Sequence, residues 1–434
     1  MSLHIMIESI RNDIAFLKKR ATPVVWVTAA TAFNNLLAFV VNVVAARMLG
    51  AEGYGVFALA FAVATLVGLL GDLGFNLSMV RLFNKYQSEP EKQSMLLGVA
   101  LGVKGMLFLL LAVALWPLSK LLALRLVADY TSNWLMATAL LTGGLLFLWT
   151  YLQSYLQAYR AFKWLTTCII IYSGLRLVGL PIAYIYFPRD PLAWLVTTYT
   201  APVLVLALFG VAPKGYKAIS SLLKQPDARS AMLKELLKYS KWVALSGIAY
   251  TSMPYVVRFI LATRASVEDV GIFSAGMAFT AAFSTLNTAV RAVLFPQVTA
   301  LEGREAIERY IGRLVRMAPY YAGFAVLGIV GLGALQWAVL GEEYRLALPV
   351  FLVTSSAFAT VVFLSLGTML VHTMMRPEAE AYIELIRLCL VTLGSILVAP
   401  SGAIGVAVVL ALFMVGGTLA KLLMVRRWIN ELPR

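Results

Sequence analysis

Long apolar runs separated by short polar stretches dominate the chain: Val24 to Ala46, Tyr54 to Phe75 and Ala403 to Ala420 are almost free of charge. A run of about 20 apolar residues matches the ~30 Å hydrocarbon core of a bilayer. A helix of a soluble protein needs only one apolar stripe. The runs are continuous rather than alternating, which favours helices over the strands of a barrel. A helix also pairs its own backbone polar groups within one segment, as lipid requires. The pattern predicts an all-α, polytopic membrane protein with about twelve transmembrane helices. The first six span roughly 23–46, 54–76, 96–117, 134–157, 165–187 and 192–212. The second six span roughly 241–262, 271–295, 317–340, 346–372, 382–399 and 403–424.

The 434 residues are 61% hydrophobic and 13% charged, against roughly 45–50% and 25% in soluble domains. The formal charge of +15 would raise nucleic acid as a partner of a soluble protein, but its placement gives another reason for it. With the N-terminus in the cytoplasm, Lys18, Lys19, Arg20, Arg81, Lys85, Lys92, Arg160, Lys163 and the basic 213–241 segment all fall inside. So do Arg304, Arg309, Arg313, Arg316, Arg426 and Arg427, while the outside set is Arg47, Lys120, Arg125, Arg189, Arg264 and Arg345. This is the positive-inside pattern. It predicts both termini in the cytoplasm and no nucleic-acid partner. The first apolar run is longer than a signal-peptide core and no small-residue cleavage site precedes it, so it should remain as the first span. Cys168 and Cys389 sit in apolar segments as free thiols, and His4 and His372 have no metal-ligand spacing. No cofactor or metal is expected.

Two segments look amphipathic. Ile7, Ile10, Ile14 and Leu17 recur at helical spacing before Pro23, which predicts a short surface helix over 1–22. Lys214, Lys217, Ser221 and Lys224 share one helical face, so 213–240 reads as a basic elbow between an N-lobe (23–212) and a C-lobe (241–424), with a tail at 425–434. The halves resemble each other. Glu52-Gly-Tyr-Gly55-Val-Phe57 enters the second span and Glu268-Asp-Val-Gly271-Ile-Phe273 the eighth, each preceded by an arginine, Arg47 or Arg264. Asp129-Tyr130 before the fourth span parallels Glu343-Tyr344 before the tenth. Internal repeats are a common plan for transporters.

At Arg47-Met-Leu-Gly50-Ala-Glu52-Gly53-Tyr54-Gly55 the sequence resembles the signature of polysaccharide exporters and O-antigen flippases in the multidrug/oligosaccharidyl-lipid/polysaccharide superfamily, where a first helix ends in R-x-L-G-x-x-x-[FY]-G. Gly71-Asp72-Leu73-Gly74 with Arg81 is similar to that family's D-x-G…R end of the second helix. Gly341-Glu342-Glu343-Tyr344 with Ala347 and Pro349 resembles its entry to the tenth, and Pro400-Ser-Gly402-Ala-Ile-Gly405 the turn into its last. The resemblance implies two pseudo-symmetric six-helix lobes around a central cavity, working by alternating access in the bacterial inner membrane. It also implies a substrate of undecaprenyl pyrophosphate bearing a short oligosaccharide, surrounding membrane lipids, and glycosyltransferases or a glycan polymerase as working partners.

Charges inside the spans carry the chemical argument. One at the bilayer centre costs at least ~2.5–3.5 kcal/mol, so it faces a partner or a watery cavity. Arg176 lies mid-way along the fifth span, one turn after Tyr172 and Ser173. Arg258 follows Ser246, Tyr250 and Pro254 at steps of four, and Arg291 ends a stripe of Ser274, Ser284 and Thr288. Lys104 is in the third span, and Thr28, Asn35 and Asn42 are seven apart in the first. Guanidinium groups bind phosphate oxygens bidentately, and asparagine, threonine and tyrosine hydrogen-bond to sugar hydroxyls. The substrate-cavity candidates are therefore Arg176, Arg258, Arg291, Lys104, Asn35, Asn42 and Tyr250, with Asp72, Arg81 and Arg47 as coupling or gating candidates. Plainer readings stand beside these. Arg291 snorkels, Arg258 reaches the outer interface, Arg176 holds a structural partner, Asp72 pairs with Arg81, and Glu384 pairs with Arg387 one turn on.

An ATP-driven pump is excluded by the lack of a G-x-x-x-x-G-K-[ST] loop. A membrane glycosyltransferase or polymerase would gather carboxylates at one membrane face, and the short outer loops offer no such cluster, so no enzyme activity is expected. A cation-coupled drug antiporter of the same superfamily is the nearer alternative, but its cavity should carry acids, and the deep charges here are mostly basic. A reporter fused after Arg434 should behave as cytoplasmic; a periplasmic signal would overturn this topology.

Overall fold

The computed structural model describes residues 3–128, 132–208, 226–299, 301, 303–373 and 377–431, and among these every regular element is helical. The N-lobe holds α1 (Leu3–Asp72), α2 (Phe75–Lys85), α3 (Pro90–Leu122), α4 (Asn133–Ala158) and α5 (Phe162–Tyr186). It ends on α6 (Pro191–Leu195), joined to α7 (Ala201–Leu206) through a π-helical turn at Val196–Thr200. The C-lobe holds α8 (Pro226–Arg264), α9 (Val267–Thr299), α10 (Arg304–Leu340), α11 (Ala347–Thr368), α12 (Leu370–Thr373), α13 (Pro377–Val398) and α14 (Gly402–Glu431). Nine stretches of the described residues are long and apolar enough to cross a membrane. Trp26–Lys85 is broken at Gly50 and again at Leu73–Gly74, Glu378–Ile429 is broken at Ala399–Gly402, and Pro191–Leu206 forms a shorter apolar helix. The set is compatible with about twelve crossings.

Several expectations change in detail. α1 is helical from Leu3 straight through Pro23, so the amphipathic stretch is continuous with the first span. Its Ile, Ala, Leu, Lys and Arg favour helix, and the proline removes a single backbone bond. Residues 209–225, the end of the expected sixth span and the first part of the expected elbow, lie outside the described residues, and from Pro226 the chain is already α8, continuous with the seventh span. Asp129 and Tyr130 also lie outside them. The second span stops at Leu73 and Gly74, whose φ of 51° and 67° cannot continue a right-handed helix.

The repeated motifs meet face to face. A Cβ at Gly55 would stand 2.0 Å from Val267 O, and one at Gly271 would stand 1.9 Å from Ala51 O. The offset that carries Gly55 onto Gly271 also carries Ala51 onto Val267, so the contact is reciprocal, as a two-fold axis between the lobes requires. Only glycine lets the backbones come this close. Around this contact Glu343 Oε1 accepts from Ala51 N at 2.6 Å, at the start of the helix that follows Gly50 (φ 71°). Arg47 Nη1 donates to Val339 O at 2.5 Å and Tyr344 Oη to Ala46 O at 2.8 Å. Asp269 Oδ1 accepts from Ala403 N at 2.9 Å, capping α14. We call this the latch.

At the opposite end the lobes touch again. Gly74 packs on Ala244, where a Cβ would meet Ala244 Cβ at 2.6 Å. Glu235 of α8 accepts from Lys85 Nζ at 2.7 Å and from Tyr86 Oη. Lys85, and then Tyr86, hold the Glu235 carboxyl below its usual range. This contact is therefore intact at neutral pH and is lost only as pH falls through that lowered value. Burial, and then Glu235, push the Tyr86 phenol up. Gly55→Ala or Gly271→Ala should overfill the latch and cost about 1–3 kcal/mol, read as a lower melting temperature in detergent. Melting unchanged in both variants would mean that the helix ends have room.

Candidate functional site

Between the lobes lies a cavity of about 510 Å³ walled by α1, α8, α9, α11 and α14. Arg258 is its charged group. Pro254, one turn earlier on the same wall, supplies no amide hydrogen to the Tyr250 carbonyl four residues back. Arg258 Nε donates to Ser274 Oγ at 2.8 Å, and its guanidinium lies over the Tyr255 ring at 5.2 Å. Among the described residues the two terminal amino groups make no hydrogen bond. Asn42 shares the wall; it donates to Tyr199 Oη at 3.1 Å and accepts from Tyr54 Oη at 3.1 Å. Tyr250 lines the same cavity. No carboxylate is among the described residues that line it.

Two further spaces adjoin it. A mostly apolar slot of about 650 Å³ runs between α1, α9 and α10, lined by Asn35, Leu36, Phe39, Ala282, Leu332 and Leu335 among others. It shares Asn42, Ala278 and Ser284 with the cavity. On the C-lobe side a polar annex of about 160 Å³ shares Tyr250, Asn287 and Val361 with it.

Other candidates lie elsewhere. Arg176 is 3% exposed and does not line the cavity. It donates to Thr198 O at 3.2 Å, Asn34 Oδ1 at 3.3 Å and Tyr172 Oη at 2.8 Å, and it stacks on Tyr199 at 4.5 Å and Tyr172 at 4.7 Å. The segment is π-helical, and Pro202 within its next turn has no amide hydrogen, so the local carbonyls have one backbone donor fewer. Arg176 supplies one inside the N-lobe. Lys104, 1% exposed, is likewise inside the N-lobe rather than in the cavity. Its three donors go to Asp72 at 2.9 Å, Asn76 at 3.0 Å and Thr150 at 3.2 Å, which satisfies the ammonium completely. The ion partner of Asp72 is therefore Lys104, not Arg81, which is exposed. Arg47 sits in the latch. The side chain of Arg291 lies outside the described ones.

The expected Glu384–Arg387 pair forms, with Oε2 and Nη1 3.0 Å apart, but it belongs to a larger group. Lys421 Nζ donates to Glu384 Oε1 and, at 3.1 Å, to Glu380 Oε1. Thr418 Oγ1 accepts from Arg387 Nη2 at 3.2 Å. Sequence reasoning passed over Lys421 and Glu380. A lysine still inside the last apolar span, and acids at i and i+4 beside Arg387, were the available signals.

A family model described as a polysaccharide biosynthesis protein matches residues 22–302. The chain belongs to the polysaccharide biosynthesis protein family. It is a multi-pass membrane protein with the fold of the multidrug/oligosaccharidyl-lipid/polysaccharide superfamily. This family member shares its fold with lipid II flippase MurJ in an inward closed conformation, at TM-score 0.70 and 14% identity over 93% of this chain and 87% of that one. A multidrug resistance MATE family transporter in an inward-facing conformation matches at 0.67 and 14%, over 92% and 95%. An outward-facing form of such a transporter matches at 0.61 and 12%, over 94% and 96%. No curated protein matches the family member in sequence.

Arg176→Ala should cost the protein about 3 kcal/mol by stripping donors from buried acceptors, seen as a lowered melting temperature. Unchanged melting would show that Thr198 O and its neighbours find other donors.

Proposed function

We propose that this protein is a flippase that moves an undecaprenyl-pyrophosphate-linked oligosaccharide from the inner to the outer leaflet of the cytoplasmic membrane, for surface glycans of the O-antigen kind. One observation carries the reading. A half-buried arginine with undonated amino groups lies in a polar cavity that opens into an apolar slot. A guanidinium fork suits a diphosphate, and an apolar channel suits a prenyl chain. Family membership supports a role in polysaccharide biosynthesis. A drug/cation antiporter would call for unneutralised carboxylates on the cavity wall; the described lining of the central cavity has none, and the two glutamates of the adjoining annex are paired with Arg387 and Lys421.

On this reading the latch face is periplasmic, both termini are cytoplasmic, and the lobes alternate between the present closed latch and an open one. Lipid-linked glycan reaches the chain from glycosyltransferases on the inner leaflet and is passed to a polymerase or ligase outside. No step makes or breaks a covalent bond.

The experiment is glycan export in a strain deleted for the chromosomal copy, scored beside the amount of protein in the membrane. Arg258→Ala should abolish most export at normal protein level. Arg258→Lys should keep part of it, since charge survives without the bidentate fork. Full export by Arg258→Ala would reject the reading.

A further inference from the structure

The annex beside the central cavity has a chemistry that phosphate binding and prenyl accommodation leave unexplained. Its walls include Ser246, Tyr250, Asn287, Ser365 and Thr418, together with all four charged groups of the Glu380–Glu384–Arg387–Lys421 cluster. Glu384 and Arg387 are each 2% exposed and Lys421 is 7% exposed. Buried ion pairs contribute little net stability compared with apolar side chains of the same volume, so four charges gathered at the ends of the last two spans, three of them buried, call for another reason. The charges cancel, so the annex neither attracts nor repels an ion as a whole. Glu384 Oε2 faces the Arg387 guanidinium outside hydrogen-bond geometry, and among the described residues it accepts no hydrogen bond. A buried carboxylate oxygen with only an ion partner, 3.0 Å away, has room to accept a further hydrogen bond. The space, about 160 Å³, is of the order of a single sugar ring and far below the volume of the main cavity.

We propose that the annex is a sugar-binding subsite, in which one ring of the carried glycan is held by hydroxyl and amide groups and donates a hydroxyl or amide hydrogen to Glu384. The proposal rests on the flippase reading and deepens it. The cavity then has three compartments for the three parts of the ligand: Arg258 for the diphosphate, the slot for the prenyl chain, and the annex for the sugars. Carboxylate, amide and hydroxyl groups around one small space are the donors and acceptors that a ring of hydroxyls needs. A site built on such bonds discriminates strongly against a ligand that lacks them.

Gly247 supplies a test that leaves the charges in place. It lines the annex on α8, and a Cβ there would meet nothing within 4 Å. Gly247→Leu should therefore fill the annex without disturbing the helix, while Glu384→Gln removes the acceptor charge. The probes are bare undecaprenyl diphosphate and the undecaprenyl-diphosphate glycans extracted from the cells that make this chain. Binding is measured on purified protein in nanodiscs. The parent should bind the glycan-bearing lipid about tenfold more tightly than the bare lipid. Gly247→Leu and Glu384→Gln should erase that difference and leave bare-lipid affinity as it was.

Equal affinity of the parent for both lipids, or a Gly247→Leu protein that keeps the full difference, would overturn the subsite. A variant that weakens both lipids alike would also overturn it, because the cluster would then be structural. Arg258→Ala separates the two levels. If it leaves bare-lipid binding intact, the flippase reading fails, whatever the annex does. Should Glu384→Gln fail to fold, Gly247→Leu decides alone.

Discussion

Gly55 and Gly271 each bring their own helix against a carbonyl of the other lobe, Val267 O and Ala51 O. A methyl group at either position would collide, so this is the closest approach the two halves can make. In lipid there is little hydrophobic force between helices, and close backbone packing takes its place. Residues around the contact are set by it. Gly50 turns the chain there with a positive φ, which presents the first amide of the next helix to Glu343. Arg47 and Tyr344 bind carbonyls on either side. The cavity lies between this contact and the second one at the opposite end, where Gly74 meets Ala244 and Glu235 meets Lys85.

The space that opens below is divided by composition. α8 supplies the polar wall, with Tyr250 and Arg258 two turns apart on one face, while α1 and α10 supply the apolar one. Asn42 stands at the junction of the two spaces, held between two tyrosine hydroxyls. Its rigidity and that of Arg258 come from neighbours on the same lobe or on the shared core, so the polar groups are positioned before any ligand arrives.

Much of this was legible in the amino-acid order. The apolar runs gave the helices, because bilayer thickness leaves few alternatives. The Glu52–Phe57 and Glu268–Phe273 repeat marked the helix starts that meet at the latch. Arg258 was recognisable because its stripe of polar residues repeats every four positions. Arg176 and Lys104 show where such reasoning stops. Depth in a span says that a charge needs company, but not whether the company is a ligand or the protein. For Arg176 the clue lay outside its own helix, in Pro202, whose missing amide leaves a carbonyl to be served. For Lys104 it lay in three oxygens drawn from three other helices, which only the packed fold brings together. The annex was missed for a related reason: Glu380 and Glu384 share one helix and Lys421 is on the next, and they acquire meaning only as neighbours.

The proline-to-arginine arrangement has a mechanical side. With Arg176 tied to Thr198 O, to Asn34 and to two tyrosine rings, the first, fifth and sixth spans are riveted together at mid-membrane. Bending any one of them would tear a guanidinium from its acceptors in a medium that offers no replacement. Elastic deformation is thereby driven out of the interior of the N-lobe and toward its margins, where the helical run is broken at Gly50 and at Leu73–Gly74.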